Sequence, residues 1–125
     1  MRSIMLALVM VLAIAACQSS TTSAETSAAK TVYEAKLAYQ GLLIVAVRYN
    51  ELPRCSRPTS PRVCSEQAVV DQLRRADTAA IAALDAAEGI VRLQGATKDM
   101  TDSAVATATN AVAAVRALTS SVRVQ

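Results

Sequence analysis

Apolar and polar positions divide the chain into unlike stretches. Residues 4–16 are apolar without a break, with Arg2 in front of them. Residues 18–27 (QSSTTSAETS) are small, polar and aperiodic, which predicts a flexible linker. From about residue 28 the pattern turns helical. Val32, Ala35, Tyr39, Leu42, Ala46 and Tyr49 recur at alternating spacings of three and four, the seam of a helix packed on other helices. Ser27 stands where a cap belongs, and the predicted helix covers about 28–50. Within it residues 42–47 (LLIVAV) are apolar on every side. Ile and Val also suit a strand, but the helical period continues on both sides of the segment. A helix apolar all round is buried all round, and a small bundle rarely encloses one of its own helices completely. Either these residues are ordinary core, or Leu43, Ile44 and Val47 form a surface for self-association.

Residues 51–64 (ELPRCSRPTSPRVC) interrupt the helix, because Pro53, Pro58 and Pro61 each fix a backbone angle and remove a donor. Ser65 then suits a helix cap, with Glu66 in the first turn where the helix dipole favours negative charge. The second predicted helix covers about 65–94 and stops at Gly95. Val69, Leu73, Ala76, Ala80, Ala83, Ala87 and Ile90 make one seam, and Val70, Ile81, Leu84 and Val91 widen it toward a second neighbour. Asp71 and Arg75 form an opposite-charge pair four apart. After a short polar turn a third helix is predicted over about 98–120. Its stripe is Ala104, Ala108, Ala111, Val115, Leu118 and Val122, with Val105 and Val112 beside it and Thr, Ser and Ala opposite.

The expected fold is all-α: a small antiparallel up-down-up three-helix bundle spanning 28–125, with one stapled loop. Alanine at so many seam positions lets helices approach closely but buries less apolar area per contact than leucine. A core this thin benefits from a staple or a partner. Cys55 and Cys64 flank the Pro-rich segment and suit a disulfide. A metal is the rival reading, but the chain has no histidine and only one further cysteine, Cys17.

A positive residue, an apolar run of this length and small residues before a cysteine have the layout of a bacterial export signal. An uncleaved membrane helix needs about 20 apolar residues, and Gln18 arrives too soon for that. Ile14-Ala15-Ala16-Cys17 resembles the lipobox of bacterial lipoproteins: a branched aliphatic, two small residues and a cysteine. The resemblance implies that 1–16 is a signal peptide removed on export. It also implies that the Cys17 thiol carries a diacylglycerol with palmitate-type chains, that the new amino group is acylated, and that 17–27 is the tether. By that family's sorting rule Gln18, which is not Asp, favours the outer membrane facing the periplasm. The pairing of a short signal with an Ala-rich helical domain is also similar to the major outer-membrane lipoprotein. That family ends in a lysine joined to peptidoglycan, whereas this sequence ends Arg-Val-Gln.

Charge and chemistry narrow the function. The net charge of +3 falls to +2 once Arg2 leaves with the signal, too mild to argue for nucleic acid. With no histidine, no Gly-x-Ser-x-Gly elbow and no Gly-rich phosphate loop, no catalytic residue, cofactor or metal ligand is expected. Asp77, Asp85 and Glu88 are expected as solvated charges. Arg54, Arg57 and Arg62 in the loop, with Arg74 and Arg75 after it, are either solvated or a contact for an anionic partner such as an acidic envelope protein or peptidoglycan carboxylates. The first expectation is a non-catalytic, membrane-anchored envelope lipoprotein acting as a helical docking or structural module. A phage- or prophage-encoded envelope lipoprotein of exclusion or lysis, and a small-ligand carrier, are the alternatives.

Overall fold

A computed structural model describes the backbone of residues 2–55 and 63–122 and the side chains of 26–55 and 63–122. Three helices account for nearly all of it: α1 (Arg2–Glu51), α2 (Gln67–Arg92) and α3 (Lys98–Val122). Among the described residues no strand forms beyond one isolated bridge between Arg54 and Ser65. Lys36 meets Glu88, Tyr39 meets Asp77, and Tyr49 meets Glu66, so α2 descends as α1 rises. Leu118 and Val122 at the end of α3 share a cluster with Tyr49 and Val70, which sets α3 parallel to α1. The result is the expected up-down-up bundle, and each helix packs on both others.

The core lies where the period of three and four placed it. Val32, Tyr39, Ala80, Leu84, Ala87, Ala108, Val112 and Val115 form the main cluster. Tyr49, Val70 and Leu73 form a second, near the loop. Ala80 and Ala87 are fully buried, so these small side chains sit at the close approach of helices rather than on the surface. Ile81 departs from its expected place in the second seam and is 45% exposed. Thr119 departs in the other direction: it is buried, and its hydroxyl donates to the carbonyl oxygens of Val115 and Arg116. Satisfying its own polar atom within the helix lets a threonine occupy an apolar stripe.

The helix ends differ most from expectation. The helix predicted from residue 28 is continuous with the rest of α1, which begins at Arg2. No glycine or proline precedes Gly41, and Ala, Ser, Thr and Glu supply no stop. Ser65 does not cap α2. Its amide donates to the Pro53 carbonyl at 2.8 Å and its hydroxyl to the Leu52 carbonyl at 3.0 Å, which holds it in the loop and fully buried. Glu66 takes the cap position without a side-chain bond, and its amide donates instead to the Tyr49 hydroxyl at 3.0 Å. At the other turn α2 ends at Arg92, and Gly95 (φ +86°) adopts the left-handed conformation that glycine alone takes freely. Thr97 caps α3 by accepting the Met100 amide at 3.2 Å. The expected Asp71–Arg75 pair is not among the ion pairs of the described residues; Asp71 accepts from Gln67 Nε2 at 2.9 Å.

Cys55 and Cys64 form the expected disulfide across a sequence separation of nine. With the Cys55 amide donating to the Ser65 carbonyl at 3.1 Å, the bridge closes the base of the loop between α1 and α2. Closing a loop of this size removes denatured-state entropy worth about 2–3 kcal/mol. Replacing both cysteines by serine is therefore expected to lower the unfolding free energy by that amount, read as a lower urea midpoint at unchanged slope.

Candidate functional site

Two surfaces are candidates: the arginine-bearing loop end and the outer face of α1. Arg54 is exposed, yet its guanidinium donates to Ser65 Oγ at 3.1 Å and Asn50 Oδ1 at 3.3 Å. That makes it a strut across the loop base. Arg57 and Arg62 lie outside the described residues. Arg74 and Arg75 are exposed on α2, more than two turns beyond Ser65. Arg74 lines a cleft of about 130 Å³ with Leu43, Val47, Val70, Leu73 and Asp77. Among the described arginines of the set, Arg74 is thus placed on a concave surface.

Of the three carboxylates expected as solvated, Asp85 is exposed, whereas Asp77 and Glu88 join helix to helix. Asp77 accepts the Tyr39 hydroxyl proton, and Glu88 accepts from both Lys36 on α1 and Arg92 one turn ahead. Burial, then the bond to Asp77, pushes the Tyr39 hydroxyl well above the ordinary tyrosine range, so it stays a neutral donor. The Lys36 bond, aided by Arg92, holds Glu88 below its ordinary value of 4.5. A depressed carboxyl stabilises the fold above its unfolded-state value, and the contribution is lost as pH falls through the lower folded-state value. Melting temperature between pH 7 and pH 2 is therefore expected to fall less steeply on the acid side in Glu88→Gln than in the parent protein. Identical acid limbs would contradict the role of the pair.

The outer face of α1 carries Leu43, Ile44 and Val47 at 36%, 59% and 48% exposure. The segment apolar on every side is thus not enclosed by its own bundle. Tyr33 and Leu37, not singled out by the sequence, are 62% and 49% exposed on the same helix. Their spacing from Ile44 and Val47 is the signal in the sequence, weaker than that of the inner seam. Five of the nine large exposed apolar side chains among the described residues are on α1, which makes this face the main apolar surface.

Cys17 lies on the described backbone of α1, but its side chain is outside the described residues. Among the described residues no helix is long and apolar enough to cross a membrane, and no group of three or more His, Cys, Asp or Glu is placed to hold a metal ion. No protein-family model matches the chain, and comparison with curated proteins and with solved structures gives no match either.

Proposed function

We propose that the protein is a lipid-anchored docking module of the bacterial envelope, held by acyl chains on Cys17 and facing the periplasm from the outer membrane. The observation that carries this reading is the uninterrupted apolar run of residues 4–16, closed by Ile14-Ala15-Ala16-Cys17 and followed by Gln18. The bundle supports it from the other side. Its half-buried charged side chains Lys36, Asp77 and Glu88 join helix to helix, and its apolar surplus is displayed outward on α1. A body held in one place with an adhesive face acts by holding something else.

Firm attachment needs two or more chains, since one alone gives only marginal binding at about 0.8 kcal/mol per methylene. The protein, produced in a Gram-negative host, is expected to sediment with membranes, to remain there through high-salt and alkaline washes, and to be extracted by detergent. Recovery in the soluble periplasmic fraction would contradict the reading.

A further inference from the structure

The outer face of α1 follows a heptad register of its own. Tyr33, Leu37, Ile44 and Val47 fall at spacings of four, seven and three, with Gln40 at the intervening place and Leu43 alongside. At 100° per residue this stripe stands roughly 150° around the helix from the seam buried against α2 and α3. The same helix is therefore patterned for partners on two nearly opposite sides, and its own bundle supplies one of them.

Gly41 lies level with the middle of the stripe, on one flank about 80° from its centre. Glycine weakens a helix interior relative to alanine, and a Cβ at Gly41 would meet nothing within 4 Å. The bundle's packing gives no reason for it. A second backbone passing close by does, because only glycine leaves that space open.

Charge selects the partner and its direction. Glu34 and Arg48 share the Gly41 flank of α1, one seven residues before it and one seven after. They are about 21 Å apart along the axis and cannot meet within one chain. Arg48 makes no ion pair among the described residues, and Glu34 makes one exposed contact, with Lys30 at 3.8 Å. Two α1 helices crossing antiparallel at Gly41 bring each Glu34 level with the other copy's Arg48. A parallel pair would set this flank against the partner's opposite flank and leave the two charges apart. A stripe made for lipid carries free Lys and Arg along its flanks; here Lys30 pairs with Glu34 and Lys36 with Glu88, which leaves Arg48 as the flank cation of α1 without an ion pair among the described residues.

We infer that a second copy of this chain covers the Tyr33–Val47 face of α1, antiparallel, with the helices crossing at Gly41. Leu37 of each copy then lies against Ile44 and Val47 of the other. The pairing does not rest on the lipid reading. The two N-termini leave at opposite ends of the paired helices, so both anchors reach one membrane only when the pair lies along its surface.

The test uses the full chain in detergent. Glu34→Cys and Arg48→Cys copies, distinguished by different tags, are oxidised separately and together, with the parent chain as the control for any link through Cys17. A disulfide-linked dimer is expected only from the mixture. Crosslinking of Glu34→Cys with itself would overturn the inference, as would no crosslink in any sample. In sedimentation, Gly41→Leu and Ile44→Glu are each expected to weaken dimerisation by about tenfold or more. Their helical content and melting should stay close to the parent's, since both positions are exposed. A parent chain that sediments as a monomer at all concentrations overturns the inference regardless of the variants.

Discussion

Cys17→Ala is expected to move the protein from the membrane fraction to the soluble periplasm. On the proposed reading the thiol accepts the diacylglycerol, so without it no acyl chain is attached at all. The substitution places a third small residue after Ala15 and Ala16, an A-x-A-like pattern that serves an ordinary export signal. The chain is then still exported and cut. The change in partition is close to complete because membrane binding rises by about 0.8 kcal/mol for every methylene buried, and two or three chains supply dozens of them. The bundle is untouched, since its cores begin at Val32. Circular dichroism of the variant should match that of the parent. A variant that stays with the membranes would show that something other than Cys17 holds the protein there.

Leu84→Ala is expected to be the most damaging single truncation in the bundle. Leu84 is almost fully buried and belongs to the cluster contributed by all three helices. Its neighbours in that cluster include Ala80, Ala87 and Ala108, which offer no bulk to close over a lost isobutyl group. Leucine-to-alanine changes at such sites cost about 2–5 kcal/mol, set by how little the cavity collapses. A domain this small has a total stability of the order of 5–15 kcal/mol, so the loss is a large share of it. The melting temperature should drop by roughly 10 °C or more. Ile81→Ala, one turn earlier on the exposed side, is the control and should change stability by no more than about 0.5–1 kcal/mol. Equal effects at the two positions would mean that the core is not where the structure puts it.

Periodicity made the bundle legible, and local chemistry decided what it could not. Val32, Tyr39, Leu73, Leu84 and Val115 declared themselves by spacing alone, because only one face of each helix meets its neighbours. Cys55 and Cys64 were legible as a pair because their loop also carries the prolines that end α1. The caps were not. Ser65 has the right chemistry for a cap, but its backbone is claimed by Pro53 and its hydroxyl by Leu52, contacts that exist only once the loop has closed. Asp77 and Glu88 resembled solvated charges because their partners, Tyr39 and Lys36, lie on a different helix and far off in sequence. Ile81 shows the limit of a widened seam: a residue at the margin of an apolar stripe is turned out when the neighbouring helix does not reach it. Tyr33 and Leu37 were not legible because the outer register is dense only over residues 42–47 and sparse before them.

The proposed anchor depends on the chemical state of one sulfur atom, and mass spectrometry of the protein extracted from membranes measures it directly. The expected N-terminal peptide begins at Cys17, with a diacylglycerol in thioether linkage and an acyl chain on the new amino group. A chain that still begins at Met1, or a mature chain whose Cys17 thiol is bare, would contradict it.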